Sequence, residues 1–101
     1  MVKLIALYRT PKDPEAFDEH YRNVHIPLAN KMPGLRKMAI TRMKPLSLQT
    51  TSSYYLMAEM DFDDDQALQK ALTSEAGRAS AQDLQNFASG LVELYTATPG
   101  S

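Results

Sequence analysis

The chain has 101 residues, with 11 basic and 12 acidic side chains, a net charge of −1 and no cysteine. Its interspersed charge offers no basic stripe for a nucleic acid, and the absence of cysteine excludes disulfide staples, thiolate metal clusters and a cysteine nucleophile. The N-terminal apolar run, Leu4 to Tyr8, is far shorter than a signal-peptide core or the ~20 residues of a membrane span, so no membrane role is expected. These features lead to the expectation of one domain over residues 1–101, soluble and cytoplasmic. A chain of this length buries only about 60 to 70% of its unfolded surface, and oligomerisation is the direct way to cover more.

Val2 to Arg9 (VKLIALYR) is rich in branched and aromatic residues and predicts a first strand, closed by Thr10 and Pro11. A helix follows, with Asp13 as N-cap, Pro14 at the first helical position and Glu15 at the positive end of the dipole. It is predicted to run to about Met32 with a kink near Pro27, whose ring obstructs the carbonyl of Asn23. Pro33-Gly34 ends it. Leu35 to Lys44 predicts a second strand, and Pro45 to Ser53 a polar connection. Tyr54 to Phe62 (YYLMAEMDF) is the clearest strand, with Tyr54, Leu56, Ala58, Met60 and Phe62 on one apolar face and Tyr55, Met57, Glu59 and Asp61 on the other. Asp63 with Gln66 reads as a capping box for a helix over Asp64 to Leu72. A second helical stretch from Ser74 or Glu75 to Ala88 carries Leu84 and Phe87 on one side, with Gly77 marking a break or close approach. Gly90 leads into a last strand, Leu91 to Thr96, and Pro99 to Ser101 is expected to fray.

The order βαββαβ predicts a ferredoxin-like α+β sandwich, an antiparallel four-stranded sheet with helices on one face and the first and third strands at its centre. Ile5 and Leu7, opposite Leu4, Ala6 and Tyr8, then lie on a face that the chain does not cover, as do Tyr55 and Met57. Apolar side chains on both faces predict a homodimer packed through its sheet faces, closing a barrel-like α/β assembly.

Phe17 to Leu35 (FDEHYRNVHIPLANKMPGL) is the most informative stretch for chemistry. At roughly 100° per residue, Phe17, Tyr21, Val24 and Leu28 form one apolar stripe, with His20 and His25 on opposite shoulders. Burial lowers a histidine pKa and a carboxylate raises it, so a shoulder histidine can be poised for proton transfer. His25 with Tyr21 is the candidate catalytic pair; the competing reading is a helix-end histidine donating to a carbonyl freed by Pro27. At i, i+5 the two histidines point too far apart on one α-helix to chelate a metal, and no metal site is expected. Tyr8, His20, Met60 and Phe87 are candidate substrate-binding residues; ordinary core or interface packing competes for each of them. Glu59 reads more readily as an ion-pair partner than as a catalytic carboxylate, and Asp63 to Asp65 as helix capping rather than a magnesium cluster.

LYRTPKDPEAFDEHYRNVHIPLANKMPGL and ALTSEAGRASAQDLQNFASG together resemble the EthD family of the dimeric α/β-barrel superfamily, over nearly the whole chain. His25, Pro27 and Leu28 (H-x-P-L) with Pro33, Gly34 and Leu35 (P-G-L) carry the likeness. The resemblance implies the fold and dimer inferred above and one EthD-like domain. It also implies small-molecule catabolism or modification: the family is named for a protein encoded with a cytochrome P450 system, and related barrels include cofactor-free oxygenases, lactone isomerases and polyketide cyclases.

No G-x-G-x-x-G, P-loop, G-x-S-x-G, H-E-x-x-H or C-x-x-C is present, so a Rossmann unit is excluded and no cofactor is expected. Redox chemistry here has to be cofactor-free, to borrow a partner's cofactor, or to bind haem or flavin by shape alone. Two functional readings follow. One is a cofactor-independent enzyme acting on a small hydrophobic, oxygen-bearing molecule between the first helix and the sheet. The other is a non-catalytic accessory protein for a partner oxygenase such as a cytochrome P450 system.

Overall fold

In the computed structural model, which describes residues 1–46 and 53–100, β1 (Val2–Arg9) leads into α1 (Pro14–His20). A π turn, Tyr21–His25, continues directly into α2 (Ile26–Asn30), followed by β2 (Lys37–Arg42), β3 (Tyr54–Phe62), α3 (Asp65–Thr73), α4 (Glu75–Phe87) and β4 (Val92–Ala97). The described strands pair antiparallel in the order β2-β3-β1-β4. This is the ferredoxin-like α+β sandwich, with β1 and β3 central as the right-handed crossover rule requires. The expected connection Pro45 to Ser53 lies for the most part, at residues 47–52, outside the described residues, as does Ser101. No described helix is long and apolar enough to cross a membrane.

The core forms where strand alternation meets the helical layer. Val2, Leu4, Ala6 and Tyr8 of β1 are buried with Leu56, Ala58, Met60 and Phe62 of β3. Phe17, Tyr21, Ala29, Leu68 and Ala71 close over them from the helices. Period 2 on the strands and roughly period 4 on the helices put one apolar set of each element on the shared interface. Ile5, Leu7 and Met57 fall on the opposite face, half-buried.

Asp13 caps α1 through a bond accepted from the Ala16 amide, with Pro14 in the first turn, as expected. Gly34 follows the helix at φ +80°, the left-handed conformation glycine adopts without steric cost. Gly77 is a close approach: a Cβ there would stand 2.1 Å from the carbonyl oxygen of Ala71, so the start of α4 presses on the end of α3.

Several expectations are corrected. The helix does not merely kink at Pro27. One π turn, with Ile26 N–H donating to the Tyr21 carbonyl, precedes the proline, and α2 stops at Asn30. The buried stripe is Phe17, Tyr21, His25 and Ala29, whereas Val24 is exposed and Leu28 half-buried. Asp64, not Asp63, caps α3, accepting from the Ala67 amide, while Asp63 forms a two-bond pair with Arg36. The strands also differ at their ends, β2 being shorter than Leu35 to Lys44 and β4 running one residue later than Leu91 to Thr96.

The faces of Tyr54 and Tyr55 are exchanged. Tyr8 pairs with Leu56 but Arg9 pairs with Tyr54, so the register skips Tyr55 and a bulge reverses the alternation. Tyr55 points to α1, where its hydroxyl donates to Asp18 and its ring meets Phe17. Tyr54 instead joins the outer face, donating to Glu93 beneath Arg9.

Candidate functional site

The π turn shapes the site. Five residues apart, His20 and His25 diverge on a regular α-helix, but i, i+5 is the hydrogen-bonding repeat of a π turn. Both rings consequently reach the same carboxylate. His25 Nδ1 lies 3.0 Å from Asp83 Oδ2 and His20 Nε2 lies 2.8 Å from Asp83 Oδ1. An ionised carboxylate only accepts, so His25 donates from Nδ1 and His20 from Nε2. These tautomers are assigned from the hydrogen-bond network. His25 Nε2 makes no hydrogen bond to any described residue, which leaves its lone pair as the proton-accepting position. The reading of His25 as a donor to a carbonyl freed by Pro27 is replaced by this pairing with Asp83.

Asp83 was not among the candidates drawn from the sequence. It is 6% exposed and comes from α4. A signal was nevertheless present: Ala76, Ser80, Asp83 and Phe87 follow the 4-3-4 spacing of one helix face, so an acidic residue occupies a packed stripe, and a buried charge requires partners.

His25 is buried, at 6% exposure. Burial holds its pKa below the ordinary 6.5 against the opposing hydrogen bond and charge of Asp83, and His20 pushes in the same direction as burial. At neutral pH the ring is therefore uncharged. Tyr21 precedes it by one turn, the two rings stacking at 5.6 Å, and burial raises the Tyr21 phenol to about 12. Tyr8 lies edge-on to Tyr21 at 5.3 Å, its phenol pushed further up by burial and by interaction with the Tyr21 hydroxyl. Neither phenol ionises near neutrality, so each serves as a proton-bearing donor or as packing.

Beside His25, between helices and sheet, lies a cavity of about 70 Å³. Tyr8 and Met60, both expected to contact a substrate, line it, together with apolar side chains such as Leu4, Ala29 and Met32. Ser80 also faces this space, and its Oγ is the one buried side-chain nitrogen or oxygen among the described residues without a hydrogen-bond partner. Such an unsatisfied hydroxyl costs about 1–3 kcal/mol. Ala81, Leu84 and Leu94 also line a surface groove of about 360 Å³ between α4 and β4.

His20 and Phe87 are placed differently. Both line a wide, open groove of about 560 Å³ beside the Thr10–Asp13 loop. Phe87 lines this groove and not the cavity, and its ring lies 4.6 Å from that of His20 and 5.2 Å from that of His25. Although larger, the groove is not lined by His25, whereas the smaller, mainly apolar cavity is. Tyr21 lines neither space; its ring packs against Tyr8 and His25 on the cavity side and against Phe17 and Phe87 on the groove side. Among the described residues no group of three or more histidine, aspartate or glutamate side chains is arranged to hold a metal ion. Glu59 sits on the outer sheet face, 3.8 Å from Lys3, as an ion-pair partner.

The EthD domain matches residues 9–90 of this chain. A Rhodococcus erythropolis protein described as an uncharacterized 11.0 kDa protein of the thcB-thcC intergenic region is 35% identical over 94 residues, covering 93% of this chain and 90% of its own. The crystal structure of an ethyl tert-butyl ether d (EthD) family protein from Bacillus halodurans is 48% identical and superposes with a TM-score of 0.91 over 99% of both chains. SnoaB of Streptomyces nogalater, a cofactor-independent oxygenase, shares the fold at 17% identity and a TM-score of 0.66, over 99% of this chain and 93% of its own. With its domain match spanning most of the chain and relatives of this identity, the protein belongs to the EthD family.

Proposed function

We propose that this protein is a cofactor-independent proton-transfer enzyme acting on a small, mainly apolar, oxygen-bearing molecule in the cavity beside His25. The carrying observation is that His25 borders a mainly apolar cavity between helices and sheet, with Nδ1 held by Asp83 and Nε2 free. Asp83 orients the ring and stabilises the imidazolium formed when Nε2 takes a proton. The substrate gives up a proton from the carbon beside its carbonyl group to Nε2, and the bound enolate takes a proton back from the imidazolium at the same or another atom, restoring the neutral ring. The depressed pKa keeps Nε2 unprotonated at neutral pH, and the apolar surroundings exclude competing water. The cofactor-independent oxygenase on the same fold makes this chemistry reasonable without a prosthetic group, though a fold by itself carries no activity.

The active form in this reading is a cytoplasmic homodimer. The outer sheet face presents Ile5, Leu7 and Met57 with Tyr54 and Tyr95, and none of the described helices covers it. A second sheet packed there buries these side chains.

Deuterium exchange into a panel of small ketones and lactones, followed by NMR in D2O, tests the reading. Exchange above the buffer rate that disappears in His25→Gln supports it. Exchange that persists in the variant, or none across the panel, counts against catalysis; ligand binding without exchange favours the accessory role.

A further inference from the structure

We propose that Ser80 is the hydrogen-bond anchor of the cavity beside His25 and that the molecule it anchors is a small, neutral carbonyl compound with an otherwise apolar body. The inference rests on the proton-transfer reading and specifies its substrate class. Ser80 is 7% exposed, and its Oγ is partnerless among the described residues. A serine within a helix commonly bonds back to the carbonyl one turn earlier, but that bond is not made here, so the hydroxyl keeps its hydrogen for an acceptor in the cavity it lines. Its position is well defined, because Gly77 three residues earlier is pressed against the Ala71 carbonyl.

Asp83 is shared by the two histidines, and burial keeps the phenol of Tyr8, the other hydroxyl on the cavity wall, protonated. The donors facing the cavity are therefore hydroxyls, with Ser80 Oγ the buried one that has no partner, and the proton acceptor is His25 Nε2. A carbonyl compound matches both, its oxygen accepting from Ser80 while a neighbouring C–H faces His25. Polarising the carbonyl at Ser80 also makes that C–H more acidic, so one contact both binds and activates. No charged side chain lines the cavity, and a carboxylate, phosphate or ammonium group would enter it without compensation.

Size narrows the class further. At about 70 Å³ the cavity has roughly half the volume of an apolar protein cavity of about 150 Å³ that accepts benzene. It suits a body of about three to five heavy atoms, with the flexible Met32 and Met60 able to adjust around it.

Cyclobutanone and methylenecyclobutane, alike in shape but differing in the oxygen, provide the test by NMR titration of the full chain. In Ser80→Ala the Kd for the ketone is expected to rise about tenfold, the loss of one net hydrogen bond, while the Kd for the hydrocarbon holds or tightens. Equal changes for both probes, or none, overturn the anchor. A second readout needs no variant: on the wild-type protein the ¹³C carbonyl resonance of bound cyclobutanone should lie downfield of its position in an aprotic apolar solvent, and a resonance at that aprotic position overturns the proposal even if Ser80→Ala fails to fold. Should neither probe enter, both this inference and the proposed function fail. Should the ketone bind and exchange through His25 without dependence on Ser80, only the anchor fails.

Discussion

His20 and His25, five residues apart, hold opposite oxygens of one carboxylate, Asp83, at 2.8 and 3.0 Å. The π turn between them makes the convergence possible, and π turns occur preferentially at functional sites. One buried negative charge thereby receives two donors from a neighbouring element, joining α4 to the first helical segment. The free side of His25 remains directed to other chemistry.

Asp83→Asn separates orientation from charge. An amide accepts through its oxygen and donates through its nitrogen, so it cannot accept from both rings. If it donates to His25 Nδ1, the ring proton moves to Nε2 and the base is lost. Carbonyl-dependent exchange is expected to fall by about 10²- to 10⁴-fold, with a stability loss of about 1.5–3 kcal/mol from the charged hydrogen bonds. Activity within a few-fold of wild type would remove Asp83 from the mechanism.

The depressed pKa of His25 has a consequence for stability. Its folded value lies below 6.5, so between the two values the unfolded chain binds more protons than the folded one and stability falls as pH decreases. The loss begins near pH 6.5 and is complete below the folded pKa. Asp83 and His20 are the titratable groups that interact with the ring, with Tyr21 stacked on it. Urea midpoints measured from pH 8 to 5 should fall for wild type, and His25→Gln should remove this part of the slope. An identical slope in both proteins would assign the acid sensitivity elsewhere.

Gly77→Ala tests how α4 is seated. The added methyl would stand 2.1 Å from the Ala71 carbonyl oxygen and 2.7 Å from that of Leu72. The backbone has to move, at a cost of about 1–3 kcal/mol. In a domain of this size a lowering of Tm by about 4–8 °C per kcal/mol is expected in calorimetry. Because Ser80 and Asp83 ride on the same helix, activity should fall as well; a stable and fully active variant would show that α4 tolerates the shift.

Leu7→Asp addresses the outer sheet face. Leu7 lies between Met57 and Glu93 on neighbouring strands, and a carboxylate buried there against a second sheet would be uncompensated. Light scattering after size exclusion should give the single-chain mass of 11.3 kDa for the variant and twice that for wild type. A wild-type monomer would rule out the sheet-to-sheet dimer.

Much of the fold was legible in the sequence because it depends on local periodicity. Alternation in Val2 to Arg9 and Leu56 to Phe62 determined which strand faces meet the helices, Asp13-Pro14 the start of α1, and Pro33-Gly34 the end of the first helical segment. The pairing of His25 with Tyr21 drew on the same helical spacing, even though the assumed α-period set His25 on a shoulder and put Val24 in the stripe that His25 occupies. The bulge at Tyr55, the π turn and the joining of His20, His25 and Asp83 depended on the tertiary structure. A bulge or π turn adds one residue to a repeat, which local pattern cannot locate, and its benefit comes from partners far along the chain: Asp18 for Tyr55, and Asp83, 58 residues beyond His25. Sequence thus determined the elements and their apolar faces; the carboxylate that prepares the base was decided by packing, since only the folded chain brings α4 against the π turn and leaves a buried charge that both histidines must satisfy.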